Sequence, residues 1–145
     1  MTRPHLLRVD LPPETFAPLV SAAREAGLRI GWLDLTPATP PAALEDAASL
    51  GVLRAVAVGE ERAVSVKPLS GPPVLADLLR EHFLGCKVVL VRGVVEAPLL
   101  TPAGPPDRAD GWLLRFADGS QSHRDTPALV GRLRSPRPLA ERATA

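Results

Sequence analysis

The sequence predicts one α/β domain built around a mixed sheet, and three observations lead to this fold class. The chain has 145 residues, a usual length for one domain. Its 46% apolar and 23% charged residues are the balance of a folded protein. Apolar residues recur at strand and helix spacing in the order β-α-β-α-ββ-α-β-ββ-α, with about four helices. This order indicates a sheet that is parallel in its N-terminal part and antiparallel in its C-terminal part.

The first quarter of the chain predicts a strand, a helix and a second strand. Residues 7–11 alternate apolar and charged side chains, which is typical of a half-buried strand. The helix that follows ends before Gly27. Because proline is tolerated only in the first turn of a helix, this helix either begins near Phe16 or bends at Pro18. The second strand is predicted over residues 29–35.

A short helix and a hairpin come next. Thr39 followed by Pro40 is typical of a helix start, and Gly51 ends that helix. Residues 53–58 and 62–66 are two runs rich in β-branched residues on either side of a short turn that contains a glycine. They therefore predict a hairpin.

The third helix has the clearest pattern in the chain. It is predicted to open at Pro72, directly after Ser70 or Gly71, and to end before Gly85. Residues 88–91 are apolar on both faces of an extended chain. They are therefore predicted to form the central strand of a sheet that is covered on both sides.

A second hairpin is predicted near the C-terminus. A strand-like run reaches Leu100 and leads into the proline-rich residues 101–107, which are predicted to be an inserted loop rather than a domain boundary. Asp118-Gly119 between residues 112–116 and 120–124 is a strong hairpin signal. The return strand is polar throughout, which predicts a place at the edge of the sheet.

The last helix ends the predicted domain. Thr126 followed by Pro127 repeats the helix-start pattern, and the helix carries one apolar face. We therefore expect a single domain over residues 1–134. The arginine- and proline-containing residues 135–145 are expected to form a mobile tail.

Charge and cysteine content exclude several classes of protein. Seventeen Lys and Arg against sixteen Asp and Glu give a net charge of +1, which does not demand a nucleic acid. The scarcity of Lys, Ile and Asn is typical of a GC-rich bacterial genome. Cys86 is alone and has no internal disulfide partner. The apolar runs are too short for a signal peptide or a membrane span, so we expect a cytoplasmic protein with no membrane partner.

Glycine-rich phosphate loops are absent from the sequence, and no cofactor is predicted. The nearest match is Ser70-Gly71-Pro72-Pro73 at the third helix, where the prolines lack the N–H groups that would hold a phosphate. We therefore expect these four residues to be a structural helix start.

Two other groupings have the residue types of a reactive site. His82 and Cys86 supply two ligands, whereas a zinc site needs three or four, so no metal site is predicted. Ser122, His123 and Asp125 are the residue types of a catalytic triad. Neighbouring strand residues point to opposite faces, so we expect Asp125 to help cap the last helix instead.

The candidate catalytic residues are Asp10, Asp34 and Arg92. Each lies near the carboxyl end of a predicted strand, where open α/β sheets bind ligands. If these strands are neighbours, the two carboxylates and the guanidinium converge and suit Mg²⁺ and a phosphate. The alternative is structural, because Asp after a strand is also common in turns.

The candidate binding residues are Arg132, Arg134 and Arg137, on the last helix and the tail. Arginine suits phosphate recognition, and a basic arm binds nucleic acid. The alternative is again structural, because cations at the end of a helix are stabilised by the helix dipole.

Because no catalytic motif stands out, the sequence predicts a non-enzymatic domain that contacts another protein or itself, as an adaptor or by self-assembly. This function requires an exposed apolar patch of several hundred Å² or an unpaired sheet edge. The first alternative is nucleic-acid binding through the arginine-bearing final helix and tail. The second is a small phosphate-handling enzyme with its site at the strand ends.

Overall fold

The computed structural model describes residues 3–36, 42–67, 69, 71–104 and 111–139. The predicted fold class is confirmed, since helices accompany a mixed parallel and antiparallel sheet and a small antiparallel one. The chain packs as two compact units. Unit 1 comprises Met1–Thr36 and Phe83–Ala145, and unit 2 comprises Pro37–His82.

The elements of the described residues follow the predicted order with two additions, a 3₁₀ helix and one strand. In chain order they are β1 (His5–Val9), a 3₁₀ helix (Pro13–Phe16), α1 (Ala17–Glu25), β2 (Ile30–Asp34), α2 (Ala42–Ser49), β3 (Ala55–Val58), β4 (Ala63–Val66), α3 (Leu75–His82), β5 (Val88–Arg92), β6 (Leu99–Pro102), β7 (Gly111–Arg115), β8 (Gln121–Asp125) and α4 (Thr126–Arg134).

The added strand is β6, which the predicted order omits although a strand-like run reaches Leu100. Its last two residues, Thr101 and Pro102, fall in the predicted loop over residues 101–107, so that prediction is wrong at these two positions. The strand is four residues long and ends in a proline, so its sequence signal is short. It has one register pair with β1, between Arg8 and Leu99, and four with β7. Pairing with β7 therefore extends the strand-like run into residues predicted as a loop.

Prolines decide where two of the helices begin. Pro18 lies in the first turn of α1, after the 3₁₀ helix, so the helix begins beyond Phe16 and does not bend. The predicted start of the third helix at Pro72 is wrong, because α3 begins at Leu75. Pro73 keeps the residue before it out of the helical region, which delays the helix. The predicted helix start at Thr39-Pro40 lies outside the described residues.

Unit 1 is built on a six-stranded sheet in the order β2-β5-β1-β6-β7-β8. The neighbouring strands β2, β5, β1 and β6 pair in parallel, whereas β6, β7 and β8 pair antiparallel, as the sequence predicts. Residues 88–91 are fully buried in β5, between two partners. The polar strand β8 forms one edge of the sheet, as expected.

The main core of unit 1 lies where the sheet packs against α1, α4 and the 3₁₀ helix. Phe16 is its centre, with ring centroids 5.9 Å from Trp112 and 6.2 Å from Trp32. The indole N–H of Trp112 donates to the hydroxyl of Thr126 over 2.8 Å. This bond satisfies a buried donor and joins β7 to the first turn of α4.

Unit 2 combines the β3–β4 hairpin with α2 and α3. The predicted hairpin is confirmed, with a turn closed by the N–H of Gly59 donating to the carbonyl of Arg62 over 2.7 Å. Helix α2 packs on both of its strands. Leu44, Ala55 and Leu79 are the buried apolar residues among those described in this unit.

The chain after α4 stays in contact with unit 1 as far as it is described. The ring Nε2 of His5 donates to the carbonyl of Ser135 over 2.6 Å, and Arg132 donates to the carbonyl of Pro138 over 2.9 Å. Leu139 packs against the core. Residues 140–145, the rest of the predicted mobile tail, lie outside the described residues, and the single domain over residues 1–134 stays a prediction.

None of the helices in the described ranges combines the length and the apolar character that crossing a bilayer requires.

Candidate functional site

The parallel strands β2, β5 and β1 bring the predicted catalytic residues to one end of the sheet. The register pairs Asp34 with Arg92 and Arg92 with Val9, directly before Asp10. The backbone N–H of Leu35 extends this ladder by donating to the carbonyl of Arg92 over 2.7 Å. The three strands are therefore neighbours, and their carboxyl ends are level.

Side-chain direction divides the three candidates. Register partners in adjacent strands point to the same face, so Asp34 and Arg92 share a face with Val9. Asp10 is one residue beyond Val9, and its Oδ1 lies 3.6 Å from Nε of Arg8, on the alternate face. The structure therefore brings Asp34 and Arg92 together and leaves Asp10 with Arg8.

The carboxylate of Asp34 is engaged by its own chain. Its Oδ1 accepts hydrogen bonds from the backbone N–H of Thr36, over 2.9 Å, and from the Thr36 hydroxyl. These two bonds lower the pKa of Asp34 most, and the charge of Arg92 lowers it further. This bonding is that of an Asx turn after a strand, which explains an aspartate here without a ligand.

Gly93 follows Arg92 and lies close to the chain after β2. Its φ of 137° is a conformation that glycine adopts and other residues avoid. A Cβ at this position would lie 2.8 Å from the Cβ of Leu35. This end of the sheet therefore has little room beside Arg92.

The predicted binding arginines have three different environments. Arg132 donates to the carbonyl of Pro138 and so holds the turn after α4. Arg137 is exposed, and its backbone N–H donates to the hydroxyl of Ser135 over 3.3 Å. Arg134 lines a small cavity together with Arg3 and Lys87. Of the three arginines, Arg134 is the one placed among other cations.

A row of cations that the sequence does not predict lies at the opposite end of the sheet, where the parallel strands begin. The N–H of Lys87 donates to the carbonyl of Arg29 over 2.9 Å, and the carbonyl of Lys87 accepts from His5 over 2.8 Å. Arg29 and Arg24 line a shared cavity of about 520 Å³. We call Arg3, Arg24, Arg29, Lys87 and Arg134 the basic edge.

A signal for this row does exist in the sequence. Arg29 and Lys87 are the residues immediately before β2 and β5, and Arg3 stands two residues before β1. A basic residue at the start of each of three strands becomes a row only if those strands are adjacent. The row is therefore not apparent from the sequence, because the sequence does not state the strand order.

Of the other two groupings, Ser122, His123 and Asp125 all lie in β8, whereas His82 is the last residue of α3 and Cys86 lies between α3 and β5. Asp125 is the N-cap of α4, since its Oδ1 accepts from the N–H of Ala128 over 2.8 Å, as expected. Ser122 and His123 pair with successive residues of β7 and so point to opposite faces. Within the described ranges, no three His, Cys, Asp or Glu side chains come close enough to share a metal ion.

In unit 2 an ion-pair network joins the end of β4 to α3. Nζ of Lys67 lies 2.6 and 2.7 Å from the two carboxylate oxygens of Glu81, and Arg54 adds a contact of 3.3 Å. The hydrogen bond from Lys67 lowers the pKa of Glu81 most. Both Lys67 and Glu81 line a cavity of about 680 Å³.

The hairpin of unit 2 also carries exposed apolar side chains. Val56 is 54% exposed and Val58 is 79% exposed; their alternate spacing in β3 puts them on one face, and Val64 of β4 is 47% exposed on the other. Neither outer edge of the hairpin pairs with another described strand. We call Val56, Val58 and Val64 the hairpin valines.

No protein-family model and no curated protein sequence matches this chain.

Proposed function

We propose that this chain is a non-enzymatic, protein-binding domain and that the hairpin valines form its contact surface. The observation that carries the proposal is the exposure of three β-branched apolar residues on a two-stranded sheet. Exposed apolar side chains grouped on one element mark interaction sites, whereas scattered ones are ordinary.

The hairpin has a second property that favours a partner. A two-stranded hairpin is marginal in water unless something packs on it, and α2 packs on this one. The open edges of β3 and β4 offer unpaired N–H and C=O groups to another strand. A strand added beside β3 would satisfy the groups of that edge, and its side chains would lie next to Val56 and Val58.

The partner is either a different protein or a second copy of this chain, so the proposal includes both an adaptor and a self-assembling domain. We also propose a cytoplasmic location, which the lone Cys86 supports because disulfides are typical of oxidising compartments. The enzyme alternative loses support, because Asp10 forms an ion pair with Arg8 and Asp34 accepts hydrogen bonds from Thr36.

Replacing all three hairpin valines by threonine tests the proposed surface. Threonine keeps the β-branched shape and the strand preference but adds a hydroxyl to each contact. Light scattering after size-exclusion chromatography reports self-association. An affinity pull-down from cell extract treated with nuclease reports a different partner. We expect at least a tenfold loss of the association that the wild type shows, because burying three unpaired hydroxyls costs several kcal/mol.

The matched control is Val94→Thr, which makes the same chemical change at a residue of unit 1 that is 89% exposed. This variant should associate like the wild type. Circular dichroism must show that both variants keep the wild-type fold. Association that is unchanged in the triple variant, or lost equally in the control, would contradict the proposal.

A further inference from the structure

We infer that the basic edge is a binding surface for the phosphate backbone of a nucleic-acid strand. This site is on unit 1 and is independent of the hairpin valines. All five side chains of the basic edge are exposed. None of them takes part in an ion pair with a carboxylate in the part of the chain that the structure describes.

The arrangement of the cations is a row. Arg29, Lys87 and Arg3 precede the adjacent strands β2, β5 and β1, and neighbouring strands lie about 4.8 Å apart. Arg134 extends the row, since it shares a cavity with Arg3 and Lys87. A row of this kind follows a linear series of phosphates, whose charges recur about every 3.4 Å along one strand of a duplex.

The residue types also favour phosphate. Four of the five cations are arginines, whose planar guanidinium donates two hydrogen bonds to one phosphate. A membrane surface is the competing polyanion, but proteins usually bind it through an amphipathic helix with a basic face and an apolar one. The basic edge comes instead from strand starts and helix ends.

Helix dipoles account for part of the basic edge but not for all of it. Arg24 lies in the last turn of α1 and Arg134 in the last turn of α4, where a cation is stabilised by the helix itself. Arg3, Arg29 and Lys87 precede strands and have no such reason to be basic. They are therefore the residues that best report a bound anion.

The net charge of +1 does not weigh against this surface, because the two aspartates at strand ends lie away from it. Asp10 and Asp34 lie at the carboxyl ends of β1 and β2, the opposite end from the basic edge. A polyanion at the basic edge is thus kept away from both carboxylates, and a strand that approaches from the other end is repelled.

The test is fluorescence anisotropy with a labelled 20-nucleotide single strand and a 20-base-pair duplex, at several salt concentrations. We compare the wild-type chain with the double variant Arg29→Ala/Lys87→Ala. Losing two phosphate contacts should weaken binding near 0.1 M salt by roughly 25-fold for the single strand or roughly 60-fold for the duplex. It should also flatten the slope of log K against log salt by about 1.4 for the single strand or 1.8 for the duplex.

The matched control is Arg62→Ala/Arg115→Ala, which removes the same two charges from exposed sites elsewhere. It should bind like the wild type, as should the charge-conserving variant Arg29→Lys/Lys87→Arg within about threefold. The triple threonine variant of the hairpin valines should also bind normally, which separates this site from the proposed protein contact.

Three results would overturn the inference. The first is no binding of either oligonucleotide by the folded wild-type chain. The second is an equal loss in both double-alanine variants, which would reduce the effect to net charge. The third is binding of phosphatidylserine vesicles, but not of oligonucleotides, that depends on Arg29 and Lys87; this would assign the surface to a membrane.

Discussion

At the scale of single residues, the bonding of Asp34 decides between a turn and a reactive site. Its pKa is lowered first by the two hydrogen bonds from Thr36 and only then by the charge of Arg92. Because the folded pKa is below the unfolded one, the ionised carboxylate stabilises the fold above the unfolded pKa. That contribution is lost as the pH falls through the folded pKa. The side chain is exposed, so we expect less than about 1 kcal/mol.

Two substitutions, compared by NMR titration of the Asp34 carboxyl carbon, separate the effects of Thr36 and Arg92 on its pKa. Thr36→Val removes the hydroxyl bond at nearly constant shape, so it should raise the pKa of Asp34 toward its ordinary value. Arg92→Gln should raise it by a smaller amount, because Arg92 acts through charge alone. A larger rise in the Arg92 variant would mean that the carboxylate and guanidinium work as a pair, and would restore the strand-end site as a candidate.

At the scale of elements, local signals predicted which residues form a helix or strand, and tertiary pairing moved their ends. The hairpin β7–β8 was predicted from Asp118-Gly119, and the polar strand β8 was correctly predicted at an edge. The strand β6 was left out of the predicted order, although a strand-like run up to Leu100 marked its first half; pairing with β7 extends the strand to Pro102. The start of α3 was misplaced because Pro72 and Pro73 are both prolines, and the second excludes the first from the helix.

The cap of α4 gives the test at this scale. Asp125→Ala leaves the N–H of Ala128 without its acceptor and should destabilise the fold by about 1 kcal/mol in urea denaturation. Asp125→Asn keeps an acceptor oxygen at the same position and should retain most of the stability. If both variants lose the same amount, the charge of Asp125 and not its capping bond is what the helix requires, and the assigned role is wrong.

At the scale of the whole molecule, strand order determines which residues meet. The sequence predicted that Asp34 and Arg92 lie at strand ends and that they come together only if their strands are neighbours. The strands are neighbours because β5 lies between β1 and β2. The same position of β5 also brings Arg3, Arg29 and Lys87 together, although these residues have no regular spacing along the chain. Pairing between distant segments cannot be read from local periodicity, so the site was only partly predictable.

Because the chain divides into two units, we expect the two units to differ in local stability. Measuring this difference tests the single domain expected from the sequence. In the described residues, unit 2 buries Leu44, Ala55 and Leu79, whereas unit 1 has an extensive core around Phe16. Stability follows local burial, so backbone amides of β3 and β4 should exchange with solvent at a lower opening free energy than those of β5.

Native-state hydrogen exchange measures this difference, and two substitutions locate its origin. Leu79→Ala should speed exchange in β3 and β4 but leave β5 unchanged, because it weakens unit 2 alone. Leu90→Ala, at a fully buried position of β5, should cost about 2 to 5 kcal/mol and speed exchange in β1, β2 and β5. Equal protection across all strands, with both variants lowering it everywhere, would instead mean that the chain unfolds as one cooperative domain. The hairpin would then be as rigid as the sheet, and its open edges would meet a partner already ordered rather than become ordered on binding.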